Sequence, residues 1–560
     1  MARRHQHVLD LALIAAAALV AFCNVFPNTF HLDDMYRIVE NPGIAHVRPL
    51  FRHFIDPSTS SSLPGLTQFR PLLPLTLSLN YWWGGESPAG YHAVNLAFHV
   101  VSAMLAYIFL LQLEAPRPAA LAASLVFAVH PVSGIVVNYV SARDLAMMQT
   151  FMLASLVSYA RMRRRGRDTP AGWAATMLFA FLAILSKTGA LILPVLIAAY
   201  ELVVLRTPWR ARDFWVRIAV FAIVPIDFAF YTRLALRYSD VENAVRDEPG
   251  GVMAYALAQT KVHAIYLFNF LWPFNVHQMP LLVPPPHWLN PYALVTALLL
   301  IGSLVLAWRL RIRMPAVAFC ILAYWILLIP EGSFVPLVHT RVDYRPYPSS
   351  AFLFGAIAVS LVTLLPRAAF AAAAAIAIVA LTAASIQINR TWRTEQSLWT
   401  YSVARGGESA AHLSLAMSIH DRNDPRVRQH LERAIELDPD SVPAQSNYGL
   451  WLLAMGNEDG LAHCRRAVAL APNWSRPHFW LAIAYEDLGM FGPAAEEAFV
   501  AHELDSKNLQ LTYETARLAQ KAGRYEESLP LLRSLSTERD FEHARDVQAL
   551  IETANVHLGR

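Results

Sequence analysis

The sequence predicts an all-α protein in two parts, a polytopic helical membrane domain followed by a soluble helical solenoid. Three observations carry that prediction. Of 560 residues, 55% are hydrophobic and only 16% charged, and the apolar residues fall in runs of Leu, Ala, Ile and Val long enough to cross a bilayer. Those runs stop near Ser385. Beyond it a pattern recurs at intervals of 33 and 34 residues, the mark of stacked helical hairpins.

Eleven segments are apolar enough to read as spans: 8–26, 91–113, 118–134, 142–161, 171–187, 189–206, 214–232, 290–308, 314–330, 349–366 and 368–388. The basic loops at Arg3/Arg4, RMRRRGR at 161–167, Arg206 to Arg217, RLRIR at 309–313, and Arg367 all fall on one face if each segment crosses. The positive-inside tendency makes that face cytoplasmic, with the N-terminus inside and everything after 388 outside. The first segment follows Arg3 and Arg4 like a signal peptide, but it runs on to Phe26, and an uncleaved span is expected. The stretch Tyr255 to Trp272 breaks the count, because a crossing there would put RLRIR outside. With Pro273 and the prolines at 284–286 close behind, it reads as a re-entrant or interfacial hairpin on the outer side.

Charge divides the same way. Before Arg390 there are 28 Lys+Arg against 18 Asp+Glu, and from Arg390 onward 18 against 24, so the membrane part is basic and the remainder acidic. Arg outnumbers Lys 42 to 4 and Ala is abundant, the composition of a GC-rich bacterial genome. Three cysteines, Cys23, Cys320 and Cys464, suggest neither a disulfide nor a zinc framework. The expected boundaries are 1–388 for the membrane domain, with an outer loop at 27–89, 389–410 for a connector and 411–560 for the solenoid.

Within the outer loop, FHLDDMYRIVEN places Asp33 and Asp34 just past the first span. Adjacent carboxylates at a membrane surface suit acid/base or cation chemistry, and equally the N-cap of a short helix. Five cations, Arg70, Arg143, Lys187, Arg341 and Arg345, sit at outer ends of spans, where the positive-inside tendency disfavours them. Each could snorkel or pair locally, as Arg143 with its neighbour Asp144, or bind an anion. The apolar, proline-bearing QFRPLLPLTLSLNYWW suits a segment lying along the membrane, anchored by Trp82 and Trp83. His92, Asn95 and His99 follow at i, i+3 and i+7 and give one polar helix face, for interhelical hydrogen bonds in preference to a metal. His130 with Pro131 closes the third span at the same face.

In the C-terminal part, Leu437, Leu470 and Leu504 begin matching stretches, Gly456, Gly489 and Gly523 recur at the turn, and Ala434, Ala467 and Ala501 supply small residues for close helix contact. This resembles the tetratricopeptide repeat (TPR), whose arrays present a concave surface to peptides or proteins.

Together FHLDDMYRIVENPGI, FRPLLPLTLSLNYW, YHAVNLAFH, HPVSGIVVNYVSARDL, SKTGALILP, VHAIYLFNFLWPFNVH, RVDYRPYPSSAF and the repeats resemble, in order and spacing, the TMTC-type O-mannosyltransferases and their bacterial relatives in the GT-C glycosyltransferase superfamily. The likeness runs through nearly the whole chain. Three places depart from it: Ser133 and Gly134 stand where relatives commonly have a His and an acid, Thr188 where an acid often follows the lysine, and DYRPYPSS where an EHRxYLPS is expected.

The resemblance implies a GT-C-like membrane domain and transfer of a sugar, mannose, from a polyprenyl phosphate to a protein hydroxyl. Arg143, Lys187, Arg341 and Arg345 would hold the donor phosphate. One carboxylate of the pair, Asp33 in preference to Asp34, would be the general base, inverting the sugar carbon, with the other orienting the acceptor or holding a cation, and sequence does not choose between the neighbours; Arg70, His92, Asn95, His99, His130 and Asp144 would line the site. No cofactor is required, and Mg²⁺ or Mn²⁺ on Asp33 and Asp34 is left open. The repeats would bind the acceptor, membrane lipid is the other partner, and nothing points to nucleic acid. The expected location is a bacterial inner membrane with the solenoid outside the cytoplasm. Two other classes stay in play. A non-catalytic scaffold would fit the altered motifs, and a transporter of lipid-linked sugars would need two similar halves, which the membrane part does not display.

Overall fold

In the computed structural model the description covers residues 2–45, 49–63, 68–166, 168–235, 251–279, 282, 287–288, 290–333, 337, 339–506, 508–537 and 543–559. Among them every regular element is a helix. The chain divides into two compact units, one of Met1–Gln278 and Leu282–Tyr401, the other containing Ser402–Arg560.

The membrane unit has fewer full spans than the apolar windows suggest. Among the described residues four helices are long and apolar enough to cross, Pro88–Gln112, Pro291–Leu310, Tyr347–Leu364 and Arg367–Trp392, and a fifth forms if the pair Arg117–Val129 and Pro131–Asn138, bent by 50°, counts as one. His5–Ala21, Pro170–Ser186, Thr188–Val204 and Pro315–Leu328 are apolar but shorter. At 1.5 Å per residue, a 17-residue helix such as Pro170–Ser186 reaches about 26 Å, short of a core of about 30 Å. The count of eleven thus gives way to a set of broken helices.

The breaks have local causes. A residue before proline is pushed out of the helical region, and His130, ahead of Pro131, is extended at φ −73°, ψ 134°. Lys187 is extended at φ −160°, ψ 138°, ending Pro170–Ser186 before a 3₁₀ turn. Tyr139, at φ −93°, ψ 107°, separates Pro131–Asn138 from the turn that leads into Arg143–Arg164. Prolines in the first turn start most of the other spans, where a missing N–H costs nothing.

The stretch expected to be a hairpin is a single helix, Gly251–Leu271. It is bonded along its length to the 331–342 loop. Tyr255 Oη donates to the Glu331 carbonyl at 3.2 Å, Gln259 Nε2 to Thr340 at 2.9 Å, and Tyr266 Oη to Val342 at 2.8 Å. Those side-chain bonds hold a continuous helix against a loop, so no internal turn forms. Prolines 284–286 lie outside the described residues.

The second unit is the solenoid. Helix pairs Ser409–Ser418/Pro425–Leu437, Val442–Ala454/Gly460–Leu470, Ser475–Asp487/Phe491–Leu504 and Leu509–Lys521/Tyr525–Ser536 are followed by Ala544–His557. Ala434, Ala467 and Ala501 are fully buried, so the small side chains of the repeat do bring helices together. Gly460 shows why one contact admits nothing larger: a Cβ there would lie 2.2 Å from the Gly449 carbonyl oxygen.

Candidate active site

The broken helix ends converge on a charged cluster in the membrane unit. Asp144, one residue into Arg143–Arg164, is buried; Arg70 pairs with it directly, and Lys187 Nζ lies 3.8 Å away. Lys187 also reaches Glu331 at 3.2 Å, and Glu331 meets Arg345 at 3.8 Å. Lys187 could not point there from inside a regular helix; its extended backbone turns the ammonium into the cluster, 5.8 Å from the Tyr344 ring.

The adjacent aspartates have unlike surroundings. Asp34 is fully buried and accepts four hydrogen bonds: from the backbone N–H of His31, Val140 and Ser141 at 3.2, 3.3 and 2.7 Å, and from Ser141 Oγ at 2.6 Å. Burial pushes its carboxyl up to about 6, against the pull of those donors. It is a clamp that ties the segment after the first helix to the turn at 139–142. Asp33 keeps 36% of its side chain exposed, with Arg37 at 3.4 Å. Leu32, immediately before it, has φ +56°, an unfavourable backbone for a branched side chain and the kind of strain that collects at working sites.

Around Asp33 stand Tyr36, Tyr139, Tyr344 and His339, all within reach of its charge. Arg37 is almost buried. Burial pulls its guanidinium down, Asp33 and Tyr36 more than offset this, and the net shift is upward. It also donates to Gln68 at 3.1 Å. Burial lowers His339, and nearby Arg345 lowers it further, so the imidazole there favours its neutral form.

Other expected site residues lie elsewhere or are already engaged. Arg143 is fully enclosed, donating to Asn95 Oδ1 at 2.7 Å and the Tyr91 carbonyl at 3.1 Å; no bond joins it to Asp144 among the described residues. Arg341 makes a two-pronged pair with Asp343 at 2.8 and 2.9 Å. His92 bridges the Asn28 and Val137 carbonyls, Asn95 donates to Val136, Tyr139 and Val140, and His99 joins Tyr347 to Ala128. His130 caps the following helix through Val132 N–H and meets the Phe270 carbonyl. These four side chains fasten helices together. No group of three His, Cys, Asp or Glu residues able to hold a metal occurs among the described residues, and the donors on Asp34 leave it poorly suited to a cation.

No family model matches the chain. It is 24% identical over 466 residues to a protein O-mannosyl-transferase of Caenorhabditis elegans, covering 78% of this chain and 64% of that one. It is 33% identical over 196 residues to protein O-mannosyl-transferase Tmtc1 of Drosophila melanogaster, 33% of this chain and 22% of that, and 29% identical over 176 residues to human protein O-mannosyl-transferase TMTC3, 31% and 19%. The chain is a relative of the TMTC-type protein O-mannosyl-transferases. It spans less than two thirds of the length of these relatives. Among solved structures, an oligosaccharyltransferase of Archaeoglobus fulgidus is matched at 14% identity and TM-score 0.40, over 76% of this chain and 60% of that one.

In this TMTC relative, the altered HPVSGI has a packing counterpart. A Cβ on Gly134 would stand 2.7 Å from the Phe22 ring, so any larger side chain there would have to displace Phe22. Glu331 supplies Lys187 with a carboxylate although Thr188 replaces the neighbouring acid. Sequence reasoning missed Glu331, Arg37 and Asp343. Each left a signal: Glu331 is the one acid between Asn290 and Val342, Arg37 lies four residues after Asp33 on a short helix, and Asp343 lies two after Arg341.

Proposed function

We propose that this protein is a membrane glycosyltransferase of the GT-C type that moves a sugar from a polyprenyl-phosphate donor to a hydroxyl of a protein acceptor, at the outer face of a bacterial inner membrane. The charge pattern of the cluster carries the reading: four cations, Arg37, Arg70, Lys187 and Arg345, face three carboxylates, Asp33, Asp144 and Glu331. The surplus positive charge suits a phosphate. Lys187 and Arg345 are better placed to meet it than Arg143, which is enclosed, or Arg341, which is held by Asp343.

Asp33, the carboxylate with an exposed face, would take the proton of the acceptor hydroxyl. As that proton leaves, the oxygen bonds to the anomeric carbon from the side opposite the phosphate. The carbon–oxygen bond to phosphate breaks, and polyprenyl phosphate departs with the electron pair, stabilised by the cations. Inversion follows from the opposite-face attack. No step is assigned to Mg²⁺ or Mn²⁺, since Asp34 is taken up by its four donors and Asp33 faces a guanidinium. Mannose is supported by the names of the relatives, and the solenoid is the part suited to hold an extended acceptor chain.

The test is transfer of labelled mannose from a polyprenyl-phosphate donor to proteins in membranes carrying the intact chain or Asp33→Asn. Transfer by the wild type, reduced by roughly 100-fold or more in Asp33→Asn at equal expression, is the expected result. A wild type inactive with mannose, glucose and arabinose donors would favour the scaffold reading.

A further inference from the structure

Basic loops gather at the other end of the membrane unit. Helix Arg143–Arg164 separates them from the candidate site. Asp144 is at its first turn, while Arg163 at its last turn pairs with Glu201 at 2.7 Å. The 19 intervening steps cover roughly 28 Å, about the thickness of a bilayer core. Glu201 in turn binds Thr207, which fixes the start of the 205–212 loop at that far end.

A second arginine-bearing loop meets it there. Arg206 donates to the Ile312 carbonyl at 2.8 Å, and its backbone lies at φ +56°, a conformation that an arginine adopts at a cost. The bond joins the loop after Glu201 to RLRIR. Each loop stacks an arginine on a tryptophan: Arg210 lies 5.0 Å from the centre of Trp209, and Arg311 3.5 Å from that of Trp308. The rings are 57% and 66% exposed. Among the described residues no carboxylate pairs with Arg206, Arg210, Arg309 or Arg311; Glu201, the acid five residues before Arg206, is held by Arg163, and Asp168 and Asp213 are engaged with Arg217.

The helix that ends at this patch, Pro291–Leu310, has only 6% of its apolar window buried. Its sides therefore face lipid tails along nearly the whole span, and its last turn stands at headgroup level. Exposed indole rings suit that level. Guanidiniums fixed beside them by backbone carbonyls, Arg206 by Ile312 and Arg311 by Trp308, and facing no carboxylate keep N–H groups for contact to a phosphodiester.

We propose that the joined loops form a binding site for the headgroup of an anionic glycerophospholipid, phosphatidylglycerol in type, whose tails lie against Pro291–Leu310. Arg206 is the positioning residue that brings the two loops together, and Arg210 and Arg311 supply the phosphate contacts. The site is independent of the transfer reaction.

The full-length protein is reconstituted in nanodiscs of equal phosphatidylcholine and phosphatidylglycerol, re-purified, and its retained lipid quantified by native mass spectrometry. The wild type is expected to keep phosphatidylglycerol preferentially. In R206Q/R311Q that preference should fall about fivefold for each arginine removed, and in R165Q/R367Q, which loses the same charge elsewhere, it should persist. An equal fall in both variants would reduce the effect to diffuse charge and overturn the proposal. So would a wild type without preference, or displacement of the lipid by inorganic phosphate at matched concentration, which would make the site one for a free anion. If R206Q/R311Q does not fold, the wild-type preference and the phosphate competition decide alone.

Discussion

The two units of the chain treat charge in opposite ways. In the membrane unit, the side chains of Asp144 and Lys187 are under a tenth exposed and share partners with Arg70 and Glu331. In the solenoid, ion pairs such as Arg428 with Glu432 and Arg433 with Glu436 are open to solvent and lie one helical turn apart. Pairs of the second kind are screened and add little. Charges of the first kind cost several kcal/mol each to bury, and they persist only when their partners are complete. A single substitution should therefore matter in the cluster and hardly at all in the exposed pairs, and the cluster is a feature that stability alone does not account for.

The sharpest way to break that comparison is Asp144→Asn. It leaves Arg70 without its carboxylate and Lys187 with Glu331 alone. Removing one partner of a buried pair costs about 3–5 kcal/mol, so thermal unfolding in detergent should move down clearly. The same kind of change in the solenoid, Glu432→Gln, should leave unfolding where it is. Equal shifts in the two would show that the cluster is hydrated and that its burial carries no cost.

The contrast also governs what could be read from the residues alone. The solenoid was legible because its signal repeats, and three alanines and three glycines on one period identify both the helix contact and the turn. The apolar windows located the membrane helices but not their interruptions. Hydropathy averages over residues, whereas a break depends on one proline, as at His130, or one charged side chain seeking partners, as at Lys187. The cluster was visible only as cations on the wrong side. Arg70, Lys187 and Arg345 do come together, yet nothing in spacing distinguished them from Arg143, whose partners lie on another helix, or from Arg341, whose partner is two residues away. Nor could spacing separate Asp33 from Asp34, since three of the four donors on Asp34 come from a turn more than a hundred residues later.

That last distinction yields a smaller, pH-dependent prediction. Asp34 ionises near pH 6 in the folded protein, against 3.8 ordinarily. A raised folded-state value means that the group favours the fold below about pH 4 and that this contribution is lost as pH rises through about 6. Asp34→Asn removes the titration. Wild-type stability should therefore fall relative to the variant across that window, by at most about 3 kcal/mol, as followed by melting temperature at stepped pH. The amide also turns an N–H₂ toward backbone donors, so the variant should start lower in acid. A difference that does not change with pH would mean that the four donors hold Asp34 ionised throughout.

The smallest expected effect comes from the solenoid. Gly489 closes the turn between Ser475–Asp487 and Phe491–Leu504 at φ +72°, and a Cβ built there meets nothing within 4 Å. Gly489→Ala therefore isolates the backbone term, about 1–2 kcal/mol for an L-residue in the left-handed region, with no packing loss mixed in. The solenoid's unfolding should shift by that amount while sugar transfer stays at the wild-type rate. A larger shift would mean that the turn carries contacts between neighbouring repeats. A loss of transfer at unchanged solenoid stability would tie the geometry of this turn to acceptor handling.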